Sequence, residues 1–170
     1  IRATRARHVS GRSREKENQS RRARQACRRP MPVRQGRPRD RRTGALGLEA
    51  VSRGAREAVL VERDPRLAED LRLHVAKLPG GDRVQVVCAD ALAWLGTAHG
   101  EFDLIFMDPP FAGDLWRPAL VALEGHVAAD AWLYLESPRV VVLDPGPAWR
   151  AHREGSTRDV RYTLHRRGPG

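Results

Sequence analysis

The chain has 170 residues and carries 31 Lys and Arg against 21 Asp and Glu, a formal charge of +10. That length leaves room for one domain and little more. No run approaches the ~18–20 apolar residues of a membrane-spanning helix, and the start lacks the apolar stretch of a secretory signal. Cys27 and Cys88 have no paired spacing, so neither a disulfide framework nor a Cys-based metal site is supported, and a cytoplasmic setting is expected.

The charge is unevenly spread. Residues 1–42 hold 16 of the basic residues and only three acids, Glu15, Glu17 and Asp40, while residues 43–170 are slightly acidic. The basic segment has no aromatic residue and no hydrophobic periodicity, and Ile1, Val9, Met31 and Val33 are its only large apolar side chains. These are too scattered for the amphipathic helix of an organellar transit peptide. The segment cannot bury enough apolar surface to offset the entropy of ordering, so disorder is the expectation for 1–42. Three readings of it stay open: a nucleic-acid-binding arm drawn to phosphates, a fragment or a GC-rich coding region read out of frame, or a targeting or other role. A folded domain is expected over 43–170.

From Thr43 onward helical and strand patterns alternate. Leu46, Ala50 and Val51 share helical spacing, with Gly54 as the stop. Ala58–Glu62 reads as a buried parallel strand. Asp64 and Pro65 supply an N-cap and a first-turn proline for a helix with Leu67, Leu71, Val75 and Leu78 on one stripe, ended by Pro79-Gly80-Gly81. A second strand spans Arg83–Cys88, and a short helix follows through Trp94 and Leu95. A third strand, Asp103–Met107, runs straight into Asp108-Pro109-Pro110-Phe111. Asp114 is placed to cap a helix with Leu115, Ala119 and Leu123 aligned. A fourth strand covers Ala131–Glu136, and the tail from Trp149 to Arg166 reads as a hairpin turning near Gly155-Ser156-Thr157. The fold class is α/β, a parallel sheet with a C-terminal antiparallel hairpin.

Ligands of open α/β sheets bind beyond the carboxyl ends of the strands. Glu62, Asp90 and Asp108 each close a predicted strand, so three acids are expected on one rim. The Asp108–Phe111 loop is the most specific feature. Its two prolines fix φ and remove two backbone donors, which leaves carbonyl oxygens and one carboxylate. An acceptor-only surface of this kind suits an exocyclic amine, whose nitrogen becomes pyramidal as its N–H groups donate. Phe111 can stack on a splayed-out base. The six histidines, His8, His74, His99, His126, His152 and His165, show no metal spacing and are expected at the surface. Trp94, Trp116, Trp132 and Trp149 are expected in core or edge packing.

The combination TGALGLEAVSRGA, VLVERD, ADAL, FDLIFMDPPF and WLYLES resembles the RsmD family of bacterial 16S rRNA guanine-N2 methyltransferases, across about residues 43–167. The resemblance implies a Rossmann-like class I methyltransferase sheet, S-adenosylmethionine as cofactor, no metal, and a monomer acting on 16S rRNA within a small ribosomal subunit or its assembly intermediate. It assigns Thr43 and Gly44 to the end of the glycine-rich cofactor loop, Glu62 to the cofactor ribose, Asp90 and Ala91 to the adenine, and Asp108, Pro109, Pro110 and Phe111 to the amine-binding catalytic loop. Two rivals are kept: an amino-methyltransferase for DNA adenine or protein glutamine, and a non-catalytic basic RNA-binding protein on a degenerate methyltransferase core.

The resemblance breaks just before Thr43. The family places its first strand there, central in the sheet between the second and fourth, whereas this chain reads Arg37-Pro38-Arg39-Asp40-Arg41-Arg42. The first strand is therefore expected to be missing, with a gap of roughly 9–10 Å that the proline-broken Met31-Pro32-Val33 cannot fill. Weak cofactor binding is the corollary.

Overall fold

The computed structural model describes residues 44–109 and 115–168, together with the backbone of residues 2–4. In chain order the elements are β1 (Arg2–Thr4), α1 (Ala45–Ser52), β2 (Ala58–Glu62), α2 (Pro65–Val75), β3 (Val84–Cys88), α3 (Ala91–Leu95), β4 (Phe102–Met107), α4 (Trp116–Leu123), β5 (Val127–Pro138), β6 (Trp149–Ser156) and β7 (Val160–Arg167). The seven strands form one sheet in the order β3-β2-β1-β4-β5-β7-β6. Pairs β2/β3 and β4/β5 are parallel, and β7 runs antiparallel to both β5 and β6.

The local signals act as their chemistry dictates. Ala58, Val59, Leu60 and Val61 are all buried, as a strand covered on both faces requires. The Asp64 carboxylate accepts from the backbone N–H groups of Arg66 (2.8 Å) and Leu67 (3.2 Å) and caps α2 behind Pro65. Gly54 takes φ +102 and closes α1, with its N–H donating to Val51. Two helical faces differ from expectation. In α2 the buried residues are Ala68, Leu71 and Val75, with Leu67 and Leu78 exposed; the helix stops at Val75 and its stripe turns one residue toward Ala68, which lets the helix approach the sheet closely. In α4 the buried set is Trp116, Ala119 and Leu123, so Trp116 takes the inward place expected of Leu115. The hairpin turns at residues 157–159, slightly later than the sequence suggests. The proposed cap Asp114 lies outside the described residues.

The expected gap is filled. Arg2 pairs with Leu60 on one side and Phe106 on the other, and Ala3 with Val59 and Ile105, so β1 lies antiparallel between β2 and β4. A vacancy there would leave two buried strand edges with unpaired N–H and C=O groups, each costing about 1–3 kcal/mol. Three residues of extended backbone satisfy them whatever their side chains, and antiparallel pairing serves at least as well as parallel. The expectation of disorder over 1–42 is thus corrected for Arg2–Thr4; residues 5–42 lie outside the described residues.

Helices cover both faces. Leu60, Leu71 and Val75 form a cluster with Leu48, Val84 and Val86, which joins α1 and α2 to the β2/β3 side. A larger cluster, including Leu95, Ile105, Met107, Trp116, Leu123 and Leu133, joins α3 and α4 to the other face. Among the described residues no helix is long and apolar enough to cross a membrane.

Candidate nucleobase and cofactor site

Residues paired across a sheet share a face, and side chains two apart on a strand point the same way. Leu60, Arg2 and Phe106 stand in one row. Glu62 and Asp108, each two residues further on, therefore stand level on one face, two strand spacings or roughly 9–10 Å apart. Asp90 follows β3 on the far side of Glu62, whose carbonyl accepts from the N–H of Ala89 at 3.0 Å. The three strand-end acids do share one rim.

Glu62 and Asp90 are each held by the turn that follows them. Oε1 of Glu62 accepts from the Asp64 N–H at 3.1 Å, and among the described residues Oε2 is not so engaged. Asp90 caps α3: its Oδ1 accepts from Leu92 (3.0 Å) and Ala93 (3.1 Å), with Ala91 as the first helical residue. Gly44 precedes α1 at φ +95 and is buried against the β2/α2 cluster. A Cβ there would lie 2.8 Å from Leu71 Cδ2 and 2.9 Å from Leu60 Cδ1, so glycine is required both for its backbone angle and for its fit. Asp108 is half-buried and Pro109 buried. Thr43, Pro110 and Phe111 lie outside the described residues.

Sequence reasoning passed over the neighbours of Asp108. Met107 pairs with Leu135, and Glu136 with Tyr162, so Glu136 and Tyr162 continue the row of Asp108 across β5 and β7. The Tyr134 hydroxyl donates to Glu136 Oε1 at 2.8 Å. Burial, the Glu136 carboxylate and the more distant Asp108 and Tyr162 all push its pKa upward, so the hydroxyl keeps its proton. Tyr134 meets Phe106 edge-on at 6.0 Å and stacks on Tyr162 at 6.3 Å. Behind the loop, Trp116 Nε1 donates to the Glu136 carbonyl at 2.9 Å and fastens α4 to the end of β5. The alternation of Trp132, Tyr134 and Glu136 on β5 carried this information, since period 2 puts all three on one face.

His165 is buried rather than exposed. It pairs with Leu133 on β5 and its Nε2 lies 3.0 Å from Thr163 Oγ1; burial lowers its pKa and the charge of Asp144 partly offsets this. Among the described residues no group of three His, Cys, Asp or Glu side chains gathers at metal-binding distances.

Residues 42–166 match the family described as Conserved hypothetical protein 95. The chain is 37% identical over 128 residues to ribosomal RNA small subunit methyltransferase D of Escherichia coli K12, an overlap of 74% of this chain and 64% of that protein. With the protein of the same name from Buchnera aphidicola the identity is 30% over 127 residues, covering 72% and 64%. The solved structure of yhhF from Escherichia coli superposes with a TM-score of 0.68 at 34% identity, across 75% of this chain and 72% of that one. The chain spans about 64% of the length of these curated relatives. Since the matched residues 42–166 take in the rim acids, the Asp108 loop and nearly all of the terminal hairpin, the chain belongs to this family, the RsmD family, and has its class I methyltransferase fold.

Proposed function

We propose that this chain methylates the exocyclic N2 amine of a guanine in 16S rRNA, in the cytoplasm, as a monomer acting on a small ribosomal subunit or its assembly intermediate. The observation that carries the reading is the placement of Asp108-Pro109 at the carboxyl end of β4, level with Glu62 and on its face. S-adenosylmethionine, when bound, supplies the methyl group. Its adenosine half fits the residues present: the Glu62 carboxylate toward the ribose hydroxyls, and Asp90 with Ala91 toward the adenine. The same reading assigns Thr43 and Gly44 to the methionine half. The Asp108 carboxylate and the Pro109 carbonyl accept the two amine N–H bonds and turn the nitrogen lone pair outward. The N–C bond forms as the methyl carbon's bond to sulfur breaks and its electron pair returns to sulfur; the amine then gives up one proton to its hydrogen-bond acceptor, the Asp108 carboxylate. Pro110 stiffens the loop and Phe111 stacks on the base. Rate enhancement then comes from orientation and fixed acceptors.

The test is tritiated methyl transfer to unmethylated 16S rRNA in small subunits at millimolar cofactor. Asp108→Asn keeps the size but turns an acceptor into a donor, and a loss of ~10²–10³-fold in kcat is expected. Transfer by the variant at the parent rate overturns the reading. One observation favours the rival non-catalytic RNA-binding function: β1 runs away from the rim, so it does not lead directly into the Thr43-Gly44 turn. RNA binding with no transfer at any cofactor concentration supports that rival.

A further inference from the structure

Charge within the domain is polarised. Residues 43–148 hold nine basic and sixteen acidic side chains, whereas residues 149–168, the β6–β7 hairpin, hold six arginines and two acids. Beside the hairpin the 139–148 loop crosses from the end of β5 to the start of β6 and leaves a cavity of about 450 Å³. Leu143, Pro145 and Trp149 contribute apolar lining; Arg153, Arg161 and His165 line it from the hairpin, and the acids Asp144 and Glu154 line it as well. The loop is held open by its own bonds. Ser137 Oγ donates to the Val141 carbonyl at 2.9 Å, the Gly146 N–H to Asp144 Oδ1 at 2.9 Å, and the Arg139 N–H to the Asp159 carbonyl at 3.0 Å. Arg161 is half-used: Nη2 donates to Glu154 Oε2 at 2.7 Å, while its buried Nε finds no acceptor among the described residues. Arginines along an exposed edge strand discourage edge pairing, but that purpose explains neither a preformed cavity nor an unanswered buried donor.

We infer that this groove, with the arginine-rich hairpin beside it, is a second RNA contact that holds a nucleotide flanking the target in a single-stranded segment. The base lies against Trp149, Leu143 and Pro145, and the phosphate meets Arg161 and Arg153. An RNA strand fits better than a free nucleotide because the hairpin carries further arginines beyond the groove: Arg158 at its turn, and Arg150 and Arg166, which share one row on the other face of the same sheet edge. Arg167 is already engaged, its Nη1 donating to the Val127 carbonyl at 2.8 Å. The position fits as well. Arg161 pairs with Ser137, the residue after Glu136, so it stands two strands from Asp108 on the opposite face, across the same upper rim. The inference rests on the proposed action on RNA and extends it to a contact away from the rim acids.

Ultraviolet cross-linking of the full chain to a short single-stranded RNA containing thiouridine, followed by peptide mapping, reads the contact directly and separates it from the basic residues 1–42. Cross-links in the 142–165 region are expected, falling at least ~5-fold in Arg153→Gln/Arg161→Gln as phosphate contacts are lost. Arg153→Gln alone, at an exposed position, covers the case in which the double variant does not fold. Glu154→Gln frees Arg161 from its competitor and is expected to raise cross-linking. Cross-links confined to 1–42, or unchanged by these substitutions, overturn the inference. Methyl transfer measured on the same samples keeps the two claims apart: hairpin cross-links without transfer refute the proposed activity alone, and transfer that persists without hairpin cross-links refutes this contact alone.

Discussion

Asp103 sits at the amino end of β4, the opposite end from Asp108, where the β4/β5 register is broken between Phe102 and Leu104. Burial, and then repulsion from Asp130 and Glu101, push its pKa from 3.8 up to about 6. Between those values the folded chain holds a proton that the unfolded chain has released, so the contribution of this carboxyl to stability is most favourable below pH 3.8 and is lost as pH rises through about 6. A rise of this size corresponds to ~3 kcal/mol; water reaches part of the carboxyl, so about half, ~1.5 kcal/mol, is retained. Asp103→Asn removes the ionisation and with it the cost. Urea unfolding followed by tryptophan fluorescence, at about pH 4.5 and about pH 7.5, reads the difference. The variant is expected to gain ~1 kcal/mol or more on the parent between the two conditions, with methyl transfer unchanged because the site is at the other rim. A variant-to-parent difference that stays constant with pH, or that moves the other way, refutes the reasoning.

Three more outcomes follow from single contacts. Trp116→Phe keeps the buried ring but leaves the Glu136 carbonyl without its 2.9 Å donor, and a loss of about 1–2 kcal/mol in unfolding free energy is expected. Gly44→Ala forces a Cβ into a left-handed position against Leu60 and Leu71, expected to cost about 1–3 kcal/mol by the same measurement; unchanged stability would show that the turn before α1 relaxes freely. Calorimetric titration with S-adenosylmethionine is expected to give a Kd above about 100 μM, weaker than about −5.5 kcal/mol, and low-micromolar binding contradicts the reading of an incomplete cofactor loop.

What could be read from the sequence was local. Ala58–Glu62 is a strand because four consecutive apolar residues can be buried only on both faces, and α2 begins at Pro65 because Asp64 and the proline act on their own turn. Each rim acid was legible for the same reason, being the first polar residue after an apolar run. What escaped depends on residues far apart. Glu136 gains its place beside Asp108 only through the pairing of Met107 with Leu135. His165 is buried because β7 lies against β5 and the loop that crosses toward β6, and nothing in its own neighbourhood says so. The basic hairpin was hidden by averaging over 43–170, where sixteen acids upstream mask six arginines in twenty residues.

β1 shows the same division within the site. Backbone pairing alone decides that a vacant central lane will be filled, and Arg2–Thr4 meets that demand without an apolar side chain of any size. The direction of the strand, however, decides what the lane can do. A parallel strand would deliver its last residue to the rim and turn at once through Thr43-Gly44 into α1, bringing backbone N–H groups to the cofactor's carboxylate end. The antiparallel strand ends instead with Thr4 opposite Leu104, toward the Asp103 edge. Glu62, Asp90 and Asp108 are unaffected, since each is placed by the strand that precedes it. The proposed adenosine and amine contacts can therefore stay intact while the proposed methionine contact weakens, because the acids assigned to the first two are local to β2, β3 and β4 and the last depends on how β1 enters the sheet.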